Sequence, residues 1–203
     1  MLVTDIEYIT KSKAKIYIDE TCRFVLTKRE IDQYKLCVDI NIDQAILDEI
    51  LSECILVKAK KKVMDLLVSS DRTETELRRR LKFSDFSDDI VDLAIDYVKQ
   101  YNYIDNKRYI ENYMAYRSEG KSIQMIKYEL RQKGLPEALT REVLEAHEHN
   151  DIRNINKYIN KKYGTPPIIL ANEKQKVINY LLRKGYEYND IVDCVRNFET
   201  NGN

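Results

Sequence analysis

Side chains that could catalyse a reaction are few and scattered along this chain. His147 and His149 are two positions apart, so on a helix they point in different directions and make a poor metal site. Asp88 and Asp89 could act as an acid/base pair or hold Mg²⁺, but two acids in a first helical turn more commonly complement the helix dipole. The glycines form no phosphate-binding motif, and no nucleophile has a recognisable base. We therefore expect a non-enzymatic protein with no catalytic residue, cofactor or metal.

Side chains that could bind a partner are basic and unevenly distributed. The chain has 34 Lys/Arg and 34 Asp/Glu, yet residues 58–82 hold nine basic residues against four acids. This asymmetry indicates a basic patch that suits a polyanion or an acidic partner, although a merely solvated helix face explains the charge equally well. The candidate contact residues are Arg78, Arg79, Arg80, Arg117, Lys121, Lys127, Arg131 and Lys133.

Tyrosines alternate with basic residues between positions 101 and 128. Such residues could stack nucleic-acid bases, or they could pack at helix borders with their hydroxyls in water. Tyr109 and Tyr113 lie on an apolar stripe, and for these two we favour packing.

Cysteine usage and hydropathy favour a cytoplasmic protein. Cys22, Cys37, Cys54 and Cys194 form no C-x-x-C pair, and the last two lie within apolar stripes, so we expect reduced thiols. No stretch approaches the roughly 18 apolar residues of a membrane span.

The N-terminal segment is the part of the chain that favours β structure. Residues 3–9, 14–18 and 23–26 are rich in β-branched and aromatic side chains, and short polar stretches separate them. They predict a small antiparallel sheet or hairpin. Thr27 and Glu30 fit a capping box that begins a short helix.

From Ile42 onward the pattern is helical. A predicted connecting helix buries a stripe that ends at Cys54 and Val57. Thr73 and Glu76 fit a second capping box, and Ser87 can cap the following helix. Asn172 is expected to open a further helix.

Three segments of the helical region align as repeats. Leu77–Leu81, Ile126–Leu130 and Val177–Leu181 each carry two apolar residues four positions apart. Four residues after each segment come Asp85, Gly134 and Gly185, and an amphipathic helix precedes and follows each unit. The pattern predicts three tandem three-helix repeats that form an elongated curved solenoid. The predicted divisions are 1–40 (β segment and short helix), 41–57 (connecting helix), 58–106, 107–149 and 150–199 (repeats), and 200–203 (disordered tail).

The stretch from Tyr103 to Leu135 carries the clearest family resemblance. Its characteristic residues are Tyr103-Ile104-Asp105, Tyr109, Arg117, Gly120, Ile126, Glu129-Leu130-Arg131 and Lys133-Gly134-Leu135. This string resembles the central signature of the RecX family, regulators of the RecA recombinase. The first repeat resembles the family at Leu66-Leu67, Thr75-Glu76-Leu77-Arg78 and Leu81. The third repeat resembles it at Tyr180-Leu181 and Lys184-Gly185-Tyr186. The N-terminal residues Ile16-Tyr17-Ile18-Asp19 and Phe24 resemble the β segment of longer members.

Two positions depart from the family pattern. Asp85 stands where members usually have a glycine turn, which puts the geometry of the first repeat in question. Asp19-Glu20-Thr21 stands where Asp-Gly is expected, which concerns the tightness of the hairpin.

The resemblance implies regulation without catalysis. RecX-like proteins bind RecA, chiefly as its filament on single-stranded DNA, and limit filament growth or promote disassembly. We expect a monomer whose basic face contacts the filament or its DNA, and we expect replacement of Arg78 and Arg79 by Glu to weaken binding without changing the melting temperature. The alternatives are a DNA-binding repeat protein that acts independently of RecA and a helical scaffold for another protein; near-zero net charge counts against the former.

Overall fold

The computed structural model describes residues 1–147, 150–165, 167 and 169–196. The chain divides into two compact units, with the second beginning at Asn106. His149, Pro166 and the predicted tail from Thr200 lie outside the described residues. Within the described part, no helix is long and apolar enough to cross a membrane.

The first unit opens with the predicted antiparallel sheet. Its strands are β1 (Val3–Thr10), β2 (Lys13–Ile18) and β3 (Thr21–Thr27), in the order β1-β2-β3. Alternate residues of β2 and β3 are buried on one face, as a half-buried sheet requires.

The turn between β2 and β3 keeps a tight geometry without glycine. Asp19 and Glu20 have φ values of 48° and 64°, so both lie in the left-handed region that a two-residue type I′ turn requires. The departure from Asp-Gly therefore leaves the hairpin connection short.

Helix α1 (Lys28–Gln33) begins with the predicted capping box. The Thr27 hydroxyl accepts a hydrogen bond from the Glu30 N–H, and the Glu30 carboxylate accepts one from the Thr27 N–H at 2.7 Å. Two backbone donors of the first turn are satisfied in this way, which fixes where the helix starts.

A continuous helical run follows, and it contains a π-helical segment. Helix α2 (Gln44–Glu49) leads into the π-helix Ile50–Leu56 and then into α3 (Val57–Ser69). The prediction that Val57 is buried is wrong, because 53% of its surface is exposed. The hydrogen bonds of a π-helix span one more residue than those of an α-helix, which shifts the buried stripe so that it passes through Ile55 and Ala59 instead.

Helices α3, α4 (Glu74–Lys82) and α5 (Asp88–Gln100) pack against one another and share a core with the sheet. The Thr73 and Glu76 capping box is present at the start of α4. Ser87 occupies the N-cap position of α5, but its side chain makes no capping hydrogen bond.

The second unit contains two more three-helix groups, each with its own core. The first is α6 (Asn106–Arg117), α7 (Ile123–Gln132) and α8 (Glu137–Ala146); the second is α9 (Asp151–Tyr163), α10 (Ala171–Arg183) and α11 (Tyr188–Arg196). The prediction that Asn172 opens a helix is wrong, because the N-cap of α10 is Leu170, two residues earlier, and no side chain caps the helix.

The same turn closes the middle helix of all three groups. Asp85, Gly134 and Gly185 have φ values of 61°, 75° and 81°. The next residue in each case donates its N–H to the carbonyl five positions back, at 3.4 Å from Leu81, 3.2 Å from Leu130 and 3.2 Å from Leu181. These are Schellman-type closures. The mainly helical fold with three tandem three-helix groups after a small sheet is confirmed, while the domain boundaries stay a prediction.

Candidate binding surfaces

Arg78 is held inside the first unit by two carboxylates. Its Nε lies 2.7 Å from Glu74, and its Nη1 pairs with Asp92 of α5. Hydrogen bonds to Asp92 and Glu74 raise the pKa of Arg78. Lys99 also pairs with Glu74, at 2.9 Å. Arg78 therefore ties α4 to α5, and its guanidinium is engaged within the chain.

Arg79 and Arg80, next to Arg78, are exposed. Neither forms an ion pair with any residue that the structure describes. They are the members of the arginine run that present their charge to solvent.

Lys121 of the second unit is engaged in a similar way. Its Nζ lies 2.7 Å from the Glu129 carboxylate and 2.8 Å from the Tyr113 hydroxyl, which also donates a hydrogen bond to Glu129. Burial and the nearby charges of Arg117 and Lys133 lower the pKa of Lys121. This group links the end of α6 to α7 and stabilises the second repeat.

Lys127 and Arg131 project from the exposed side of α7 and line a groove between α7 and α8. The groove has a volume of about 290 Å³. The rest of its lining is formed by Gln124, Tyr128, Leu135, Glu137, Thr140 and Arg141. Arg141 is exposed and was missed by sequence reasoning, because α8 carries no other Lys or Arg and only the packing of α8 on α7 places it beside Arg131.

The remaining predicted contact residues differ in their surroundings. Arg117 is exposed, whereas Lys133 is half-buried with its ammonium group 5.6 Å from the centre of the Tyr109 ring. Tyr109 and Tyr113 are buried, which confirms the prediction that they pack. Tyr128 is 60% exposed at the groove.

A second basic groove lies in the first unit and was not predicted. The open edge of β3 lines it together with Lys13, Arg23, Lys58 and Lys62, and its volume is about 380 Å³. Lys58 pairs with Glu30, and its Nζ lies 3.4 Å from the Val25 carbonyl oxygen. That lysine already satisfies one of the edge carbonyls.

Polar contacts join the second and third repeats. The Ser122 hydroxyl is fully buried and donates to the Lys184 carbonyl at 2.9 Å. The Asp151 carboxylate accepts a hydrogen bond from the Ile123 N–H at 3.1 Å. Sequence reasoning missed this junction because the hydrogen-bonded partners are 62 and 28 residues apart along the chain.

The four cysteines are free thiols. Cys54 and Cys194 are buried as predicted, while Cys22 and Cys37 are exposed. Burial raises the pKa of Cys194 to about 11. Across the described residues, no three His, Cys, Asp or Glu side chains converge as metal ligands.

Comparisons with known proteins match the three helical groups one by one. Family models described as the first, second and third three-helix domains of RecX match residues 59–97, 105–144 and 150–195. A regulatory protein RecX of Clostridium perfringens (strain 13 / Type A) is 29% identical over 98% of this chain and 97% of its own length. One of Clostridium acetobutylicum is 26% identical over 95% of this chain and 93% of its own length.

Solved structures show the same fold. A crystal structure of a regulatory protein RecX superposes with a TM-score of 0.60 at 22% identity, covering 93% of this chain and 96% of that one. The structure of RecX from Lactobacillus salivarius gives 0.57 at 20% identity, covering 71% of this chain and 97% of its own.

Proposed function

This chain belongs to the RecX family, and on that premise we propose that it is a non-enzymatic regulator of RecA. It binds RecA and the RecA filament on single-stranded DNA, acts as a monomer in the cytoplasm, and limits filament extension or promotes filament disassembly. Recombinase and coprotease activity fall as a result. The observation that carries the proposal is the match of all three helical groups, in order, to the three RecX domains.

The exposed cations are the proposed contacts with the filament. Arg79, Arg80, Arg117, Lys127 and Arg131 present their charges to solvent. Because such charges complement a polyanionic filament, they favour encounter and orientation more than they add to folding. Arg78 and Lys121 we assign to holding neighbouring helices in place, since their charges are engaged within the chain.

The proposal is tested by titrating the full-length protein into RecA assembled on single-stranded DNA with ATP. DNA-dependent ATP hydrolysis is followed, and inhibition is expected well below one protein per RecA. The variant Lys127→Glu/Arg131→Glu should inhibit less, whereas Lys176→Glu, a charge reversal on an exposed position of α10, should inhibit normally. An unchanged rate of hydrolysis with the unmodified protein would contradict the proposal.

A direct DNA-binding role independent of RecA is the second candidate. The cluster of exposed cations around the α7–α8 groove favours it, and near-zero net charge counts against it. Tight, steeply salt-dependent binding to the naked strand without any effect on RecA would select it.

A further inference from the structure

We propose that the groove between α7 and α8 is a binding site for a phosphate group, carried by a nucleic-acid strand or by a small phosphorylated molecule. This inference rests on the proposed function in one respect, because both assign a binding role to the exposed side of α7. It concerns a site on this chain itself and can be measured without RecA.

The charge of the groove favours an anion. Lys127, Arg131 and Arg141 are exposed there, and none forms an ion pair with a described residue. Glu137 is the acidic side chain in the lining. Arginine guanidinium groups match phosphate oxygens with two parallel hydrogen bonds, and lysine adds a compact charge.

The beginning of α8 contributes backbone donors to the same groove. Pro136 occupies the N-cap position and has no side-chain acceptor, so α8 starts without a side-chain cap. The N–H groups of Glu137, Ala138 and Leu139 have no acceptor among the described residues. A ten-residue helix that begins with uncapped donors and the positive end of its dipole is suited to hold an anion.

Thr140 is the independent observation that points to a ligand. Thr140 as a whole is 5% exposed and lines the groove, and its hydroxyl oxygen is buried with no hydrogen-bond partner in the described structure. Buried hydroxyls are nearly always hydrogen-bonded, because an unsatisfied one loses its interaction with water without replacement. A phosphate oxygen held by the α8 N-terminus would supply the missing acceptor.

Tyr128 is placed to contact the part of a ligand that is attached to the phosphate. Tyr128 lines the same groove and is 60% exposed, so a base attached to the bound phosphate could stack on its ring. Among carriers of the phosphate group, a single strand of nucleic acid uses all of these features.

The first measurement follows the chemical shifts of backbone amides and of arginine side-chain N–H groups in the full chain by NMR as inorganic phosphate is added. Shifts should concentrate at Glu137–Thr140 and at the Arg131 and Arg141 side chains. Shifts that are absent, or spread evenly over the lysines and arginines of the surface, would overturn the proposal.

The second measurement is the affinity for a short fluorescent oligothymidylate, taken with matched variants. Lys127→Gln should weaken binding about tenfold and reduce the slope of log affinity against log salt by about one, whereas Lys176→Gln on α10 should change neither. Glu137→Gln should strengthen binding, because it removes the acid that opposes the phosphate.

Thr140→Val separates a ligand role from a structural one. The substitution should weaken phosphate and oligonucleotide binding while leaving the melting temperature unchanged or higher, since the hydroxyl has no partner to lose. Unchanged affinity, or a lowered melting temperature, would assign Thr140 to packing and overturn its place in the site.

The two sources of the phosphate are distinguished by comparing the probes. Lys127→Gln weakening both probes would identify a nucleic-acid strand. Localised amide shifts with inorganic phosphate, but equal oligonucleotide affinity for Lys127→Gln and Lys176→Gln, would identify a small phosphorylated molecule. A RecA titration that fails while these shifts persist would reject the regulatory function and leave the site standing.

Discussion

At the scale of single residues, two adjacent arginines show why charge type alone does not identify a contact surface. Arg78 lies one turn from Glu74 on α4 and faces Asp92 of α5, so its charge is neutralised within the chain. Arg79 is rotated by about 100° around the same helix and faces solvent. The arginine run therefore contains one residue that holds helices together and others that are available to a partner.

Arg78→Gln should lower the free energy of unfolding by about 1 kcal/mol, because two partly exposed ion pairs are lost. Arg79→Gln should change it by less than about 0.5 kcal/mol, as expected for an exposed side chain. Urea denaturation of both variants measures the difference. This revises the expectation that replacing both arginines by Glu leaves melting unchanged; equal stabilities of the two variants would show that the Arg78 pairs contribute nothing.

Asp85 provides a second residue-scale prediction. It adopts φ +61° at the turn where Gly134 and Gly185 stand in the other repeats, so the aspartate bears the strain of a left-handed backbone. Asp85→Gly should stabilise the protein by about 1 kcal/mol. Thermal unfolding measures this, with Asp85→Ala as the control because alanine keeps the strain. If both variants were stabilised equally, the cause would be the loss of the Asp85 charge and not the relief of backbone strain.

At the scale of elements, the junction between the second and third repeats depends on one close approach. Gly185 ends the turn after α10, and a Cβ added there would lie 2.7 Å from the Ser122 hydroxyl oxygen. That hydroxyl both caps α7 and donates to the Lys184 carbonyl. The glycine is therefore required by a neighbouring element as well as by its own backbone.

Gly185→Ala should destabilise the protein more than Gly120→Ala does. Both glycines have positive φ, so each substitution costs about 1 kcal/mol in backbone strain, but a Cβ at Gly120 meets nothing within 4 Å. Displacing Ser122 should add at least about 1 kcal/mol. Denaturant unfolding compares the two, and equal costs would mean that Ser122 moves aside without losing its bonds.

At the scale of the whole molecule, the net charge is zero, yet the stability of the fold depends on particular carboxylates being ionised. Burial alone would raise the pKa of Glu30, but hydrogen bonds from Lys58 and Thr27 outweigh burial and hold this pKa below its usual range. Glu74 behaves in the same way, with Lys99 and Arg78 as its partners. Both carboxylates stabilise the first unit.

Because these two pKa values are lowered on folding, the stability that the ionised carboxylates contribute is present above the pKa of the unfolded state and is lost as pH falls through the folded-state values. The free energy of unfolding should therefore decrease as pH falls through the range in which glutamates are protonated. Denaturant titrations between pH 3 and about pH 6 test this.

Glu30→Gln is the control for this acid effect. Glutamine can keep the capping-box hydrogen bond but does not titrate. The stability advantage of the unmodified protein over this variant should shrink as pH falls, and a constant difference would contradict the assignment to Glu30.

Much of this architecture was predictable from local pattern. The capping boxes at Thr27 and Thr73, the sheet, and the three helix–turn units follow from short-range spacing, because caps, turns and amphipathic faces depend on residues within a few positions. The candidate cations were also visible by residue type. The π-helical shift that exposes Val57 could not be predicted, because extending the apolar pattern assumes that the α-helical period continues unchanged.

The sequence by itself determined the fold class, the family resemblance and the set of basic residues that could contact a partner. Only the tertiary structure decided which of those residues are engaged by carboxylates, placed Arg141 and Thr140 beside Lys127, and brought Ser122 against Lys184. The reason is physical: secondary structure depends on neighbours along the chain, whereas the state of a charge or hydroxyl depends on whichever element packs against it.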